Sequence, residues 1–166
     1  HELLGEMVSP VSNEEKLPKS IQKTSALAKF SSDKNYLKNS LNYHIHRACV
    51  KLRRINAKCK GVSIFLRTKD FKVYCEKKVL NVGTDFELEI SDIVFNLLDK
   101  IYNPNIIYRS TGVILDTFVH NDEAQMSLFT DVAIDSKKEK LSKCFDKLEA
   151  RFGKDIIQTG FVKKDV

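Results

Sequence analysis

Apolar residues at Leu37, Leu41, Ile45, Ala48, Leu52 and Ile55 recur at steps of four, four, three, four and three, which is one narrow stripe along a helix. Ser32 or Asp33 stands where that helix needs its N-cap, and Lys38, Arg47, Lys51 and Arg54 fall on its wet sides. Ahead of it, KSIQKTSALAKFSS at 19–32 carries no helical stripe and reads as extended. VSIFLRTKDFKVYCEKKVL at 62–80 reads as two strands meeting at a turn near Thr68 to Asp70. On the first of them Val62, Ile64 and Leu66 alternate with Ser63, Phe65 and Arg67, giving one apolar and one mixed, basic face. A second helix is lined by Ile90, Ile93, Val94, Leu97, Leu98 and Ile101 and stopped by the NPN at 103–105, after which residues 105–118 form a fourth strand. Beyond a polar linker, residues 136–153 predict a third amphipathic helix on Leu141, Cys144, Phe145, Leu148 and Phe152.

The order strand, helix, strand, strand, helix, strand predicts an α+β fold: a β-α-β-β-α-β two-layer sandwich with a C-terminal helical tail. Each of the first two helices has a single stripe to bury, so both must cover the same face of the four-stranded sheet, leaving the opposite face open to a partner. Gly61, Gly83 and Gly112 stand isolated and suit turns or bulges. Pro10, Asn13, Glu14, Glu15 and Pro18 break any period over the first residues, which read as a connector arriving from something upstream.

Composition narrows the class. With 166 residues, 42% apolar and 30% charged, the chain has room for one domain with a genuine core plus a linker or tail. It has no apolar run of the roughly 18 to 20 residues a membrane span needs, and its start, HELLGEMVSP, is unlike a secretory signal, so a cytoplasmic setting is expected. Cys49, Cys59, Cys75 and Cys144 lack the paired spacing of a zinc site or disulfide framework and read as reduced thiols. Charge is more informative. Between Lys16 and Lys78, 17 Lys or Arg face three acids, while the other 103 residues hold 11 bases and 19 acids. So concentrated a charge suits a positive face for a polyanion, or a set of ordinary solvated faces.

Catalytic groupings are not evident, and the chain by itself is expected to be non-catalytic. His44 and His46 are two apart on a helix, point to different faces and cannot share a metal, so they read as surface or half-buried histidines. The open sheet face is the better candidate. Arg67, Lys69, Lys72 and Arg109 lie on predicted strands or their ends, and Lys19, Ser20, Lys23, Ser110 and Thr111 add ammonium, hydroxyl and backbone N–H donors. Short donors let a nucleic-acid backbone approach closely, and Lys and Arg add the electrostatic attraction that ignores sequence. Phe65, Phe71 and Tyr74 are the nearby aromatics, and all three are expected in the core, which disfavours an RNA-binding sandwich.

KSI at 19–21, AxxKLRR at 48–54, VSIFLRTKDF at 62–71, YRSTGVIL at 108–115, QMSLF at 125–129 and DKLEARFG at 146–153 resemble, in order, the C-terminal part of UmuC-type members of the Y-family of translesion DNA polymerases. The resemblance runs through most of the chain from about Glu2. It implies the end of the thumb and a tether at 1–17, a little finger (polymerase-associated) domain at 18–119, a linker with a clamp-binding peptide at 120–135 and the helical tail at 136–166. It further implies an error-prone polymerase of DNA-damage repair and the SOS response, whose little finger holds the primer-template backbones. The palm, with its carboxylates and Mg2+, would lie upstream, so no cofactor is expected in this fragment. Departures are Ser25, Ala26 and Leu27 where the family commonly has an SRSF-like cluster, and Ile114 where some relatives carry arginine.

QMSLF also resembles the peptide by which bacterial polymerases bind the sliding clamp. Gln125 can offer its amide to backbone partners, Met126 fills the variable or apolar position and Ser127 the one that takes Ser or Asp, and Leu128 and Phe129 can enter an apolar pocket. Burying two such anchors contributes roughly 3 to 6 kcal/mol before ordering costs, enough for weak, exchangeable contact. A UmuD-type regulatory subunit is a further partner that the resemblance brings in. The rival expectation is a self-standing interaction module whose basic face binds an acidic protein.

Overall fold

The computed structural model describes residues 17–120 and 132–153, with side chains in the second stretch from Ser136. The elements are β1 (Ser20–Ser31), α1 (Lys34–Arg54), β2 (Ala57–Thr68), β3 (Val73–Thr84), α2 (Glu87–Ile101), β4 (Tyr108–His120) and α3 (Val132–Phe152). The predicted order holds. The four strands form one sheet in the order β1-β4-β2-β3, every neighbouring pair antiparallel. β4, last in sequence, therefore inserts between β1 and β2, which α1 links as the two halves of a split unit.

α1 starts where its cap dictates: the Asp33 carboxylate accepts from the Asn35 N–H at 2.9 Å, and Lys51, Arg53 and Arg54 occupy the last turn, where the helix dipole favours cations. Its stripe of Leu37, Leu41, Ile45, Ala48 and Leu52 is wholly buried, as are Ile90, Val94 and Leu98 of α2. Both meet Ile21, Val62, Ile64, Leu66, Val113 and Leu115 from the sheet, so the core lies between one sheet face and two helices. β2 and β3 run longer than the sequence suggests, and the turn falls at 69–72 rather than Thr68 to Asp70. The Thr68 hydroxyl anchors that turn by accepting from the Lys72 N–H at 3.1 Å, which needs Thr68 at a strand end.

α3 begins four residues before the predicted start and docks in an unexpected way. Arg53 of α1 holds both carboxylate oxygens of Asp146 at 2.8 and 2.6 Å. His46 lies between Glu87 of α2 at 3.0 Å and Glu149 of α3 at 2.6 Å, and Lys138 pairs with Glu89. Hydrogen bonding to Glu87, against the opposing effect of burial, and contact with Glu149 raise the His46 pKa to about 9, so the ring is an imidazolium donating from both nitrogens at neutral pH. The apolar stripe is split: Leu141 is 40% and Phe152 56% exposed, and Cys144 is exposed too, while Phe145 and Leu148 are half-buried.

The histidines do point to different faces, and His46 is half-buried as expected, but His44 is neither a surface nor a half-buried group. His44 is buried against the sheet, its Nε2 3.3 Å from the Ser25 hydroxyl, and burial followed by the nearby Arg47 lowers its pKa to about 4. Cys49 and Cys59 are buried free thiols, both pushed up by burial, the latter to about 12. No helix among the described residues is long and apolar enough to cross a membrane.

Candidate nucleic-acid interface

Because side chains alternate along a strand, the residues between the core positions turn to the uncovered face. Register brings them into four ranks across β1, β4, β2 and β3: Ala26–Ser110–Arg67–Val73, Thr24–Gly112–Phe65–Cys75, Gln22–Ile114–Ser63–Lys77 and Ser20–Asp116–Gly61–Val79. Most of these side chains are short. The face is thus shallow, with hydroxyls and backbone within reach of anything laid on it.

Two glycines shape the surface: neither is a turn residue, but Gly61 stands at the register shift between β2 and β3 that a bulge residue is expected to mark. At Gly112 a Cβ would stand 2.3 Å from Phe65 Cε1, so the absence of a side chain lets the Phe65 ring lie across β4. At Gly61 a Cβ would stand 1.9 Å from Asp116 Oδ1; the space is used by an ion pair in which Lys77 Nζ reaches both Asp116 oxygens at 2.7 and 2.8 Å. Burial pushes the Asp116 carboxyl up, but Lys77 and the Thr117 hydroxyl more than offset it and hold the group below its usual range. The acid on this face is thereby neutralised. Lys77 was not among the residues the sequence singled out.

At the other end of the face the positive charge is not neutralised in this way among the described residues. Arg67 points out of β2, and Lys69 and Lys72 are exposed in the β2–β3 turn with Asp70 as the one acid. Arg109 sits at the register shift where Arg67 pairs with Ser110 but Thr68 pairs with Tyr108. Its guanidinium lies 4.2 Å from the Phe71 ring centre and 5.8 Å from that of Phe30. Phe71, 65% exposed, has a φ of 67°, a left-handed conformation that costs a non-glycine residue about 1–2 kcal/mol. The expectation that Phe65, Phe71 and Tyr74 are core residues is overturned: Phe65 is half-buried on the open face, and the other two are exposed.

Of the sequence-selected donors, Arg67 and Ser110 share one rank, Lys69, Lys72 and Arg109 adjoin it, and Lys19 and Ser20 lie at the opposite end of β1. Lys23 and Thr111 do not belong with them. Lys23 pairs with Val113, a core position, and so turns toward α1, where burial, then Arg47 and Lys51, lower its pKa. Thr111 is fully buried, its hydroxyl 2.7 Å from that of Ser40. Where the register is unbroken, neighbours one or three apart on a strand cannot face the same side, so beyond the shift at Arg109 Ser110 excludes Thr111, and Ser20 excludes Lys23. Gln125, Met126, Ser127, Leu128 and Phe129 lie outside the described residues.

Comparison with known proteins places these features in context. Residues 18–128 match the impB/mucB/samB family C-terminal domain. The chain is 27% identical to Protein UmuC of Salmonella typhimurium over 76% of this chain and 31% of that protein. It is also 27% identical to DNA polymerase IV of Clostridium kluyveri, over 95% of this chain and 41% of the relative. The chain therefore spans about a third of the length of the relatives it matches. Among solved structures, a DinB family error-prone DNA polymerase from Sulfolobus solfataricus superposes with a TM-score of 0.55 at 18% identity, covering 68% of this chain and 33% of that one. An insertion ternary complex of Dbh DNA polymerase gives 0.51 at 18% identity, covering 71% and 33%.

Proposed function

The chain belongs to the impB/mucB/samB C-terminal domain family, and from that premise we propose that it is the little finger domain of a translesion DNA polymerase, laid along the primer-template duplex. One observation carries the reading: a shallow, short-side-chain sheet face left uncovered by the helices, with Arg67, Lys69, Lys72 and Arg109 gathered at one end. Lys19 and Ser20 stand at the other end, six residues or about 20 Å along β1 from Ala26. That span exceeds the ~12 Å width of a major groove, so the two ends can meet opposite backbones. Few base-reading side chains project from the ranks, which suits an enzyme domain that must hold any sequence. Polymerisation itself belongs to a palm upstream, with its carboxylates and Mg2+, and the domain supplies grip.

Titration of primer-template binding against salt tests this. The log-log plot should fall with a slope near −0.9 per phosphate contacted, indifferent to sequence, and Arg67→Ala should reduce that slope by about one. Thr111→Val should leave it unchanged. Absence of binding even at low salt would leave the rival, an acidic protein on the same face, as the better reading.

Recruitment is the second part of the proposal. Gln125 to Phe129 would dock on a bacterial sliding clamp, weakly alone and more firmly once both are on the same DNA. Leu128→Ala with Phe129→Ala should abolish clamp binding in surface plasmon resonance and spare DNA affinity; persistence of clamp binding would rule the peptide out. A UmuD-type subunit remains a candidate partner on family grounds.

A further inference from the structure

We infer that Phe30, Arg109 and Phe71 form a stacking platform for unpaired bases, at the end of the sheet face where a strand leaves the duplex. The inference takes from the proposed function only the source of that strand. Phe30 is 49% exposed and Phe71 65%, and the Arg109 guanidinium is within cation–π range of both rings, at 5.8 and 4.2 Å. Two exposed rings that share one guanidinium match the faces of bases and the charge of the phosphates joining them.

The platform is built rather than incidental. Four hydrogen bonds fix the β2–β3 turn: Thr68 N–H to the Lys72 carbonyl at 2.8 Å, Phe71 N–H to the Thr68 carbonyl at 3.1 Å, Lys72 N–H to the Thr68 hydroxyl at 3.1 Å and Lys69 N–H to the Ile107 carbonyl at 2.9 Å. They hold Phe71 in its left-handed conformation with the ring in solvent, so its strain is not repaid by burial. The three-residue loop between Thr68 and Lys72 demands the positive φ, and a phenylalanine stands there with its ring in solvent where glycine would fit without cost. Arg67, Lys69 and Lys72 are exposed in or beside the same turn as Phe71, which favours a polyanion over an apolar peptide. Paired bases present only their edges, whereas unpaired ones offer whole faces. The occupant is therefore single-stranded DNA.

Fluorescence anisotropy with the whole 166-residue chain provides the test, using a blunt duplex, the same duplex with an unpaired run of about six thymines, and that run made abasic. The thymine run should tighten binding about fivefold or more, the abasic run should not, and Phe71→Ala or Phe30→Ala should remove the gain while keeping blunt-duplex affinity and salt slope. Phe71→Gly, which suits the positive φ, guards against misfolding and should lose the gain equally. Equal binding of thymine and abasic runs overturns the platform, as does a gain that survives Phe71→Gly. Displacement of the thymine run by an acidic peptide with no base-dependent gain would mark a peptide site and overturn it as well. Should the blunt duplex fail to bind while the thymine run binds through Phe71, the platform stands and the duplex-holding reading falls.

Discussion

At the scale of single residues the open face is governed by what is missing. Gly112 carries Phe65 because nothing projects from its Cα, so Gly112→Ala should displace that ring and lower stability by about 1–3 kcal/mol. Thermal melting would measure it, and an unchanged midpoint would mean that the ring moves aside freely. The basic and hydroxyl residues were legible as types, yet their faces were not. Parity along each strand would have excluded Thr111 and Lys23, whereas Lys77 needed cross-strand register to be seen, because only Gly61 between the strands brings it to Asp116. Phe71 escaped for another reason. An aromatic in a run of alternating residues reads as buried, and its positive φ belongs to the turn rather than to the residue type.

Among the elements, α1 was the most legible, since its cap and its stripe agree. α3 shows the limit of such reading. Its apolar stripe predicted a buried face, but its charges are what meet α1 and α2, through partners such as Arg53 and His46 that are remote in sequence. His46 gives a sign to the pH dependence. Its folded pKa, about 9, lies above its unfolded value, so its stabilisation is complete below about 6.5 and is lost as pH rises through 9. On the acid side, Glu89 is pushed up by burial but held below its usual range overall by Lys138 and Thr84, so its contribution fades as pH falls. Hydrogen exchange should therefore show α3 protection highest near neutrality, falling above pH 9 and with added salt, while α2 stays protected. Protection of α3 that ignores both would contradict an ionic attachment.

For the whole molecule, the sandwich and its open face followed from counting stripes: two helices with one apolar side each can only share a sheet face. Strand order was beyond that logic. β4 enters between β1 and β2 through pairings across most of the chain, such as Ser20 with Asp116, and local pattern holds no record of such distant partners. The strong positive segment was real in sequence, yet it divides in space between the two sides of the sheet, with Lys23, Arg47 and Lys51 on the helical side.

The ionic attachment of α3 also separates the molecule into parts of different kinds. Among the described residues, the sandwich is sealed by apolar contact and its core includes none of the tail, whereas the tail's recorded links to α1 and α2 are ion pairs that water and salt can replace. That joint can part without opening the core of the sandwich. It is thus a reversible coupling whose setting follows the ions and protons around it, and a chain cut after His120 should keep the melting behaviour of the sandwich while losing the part that answers to its surroundings.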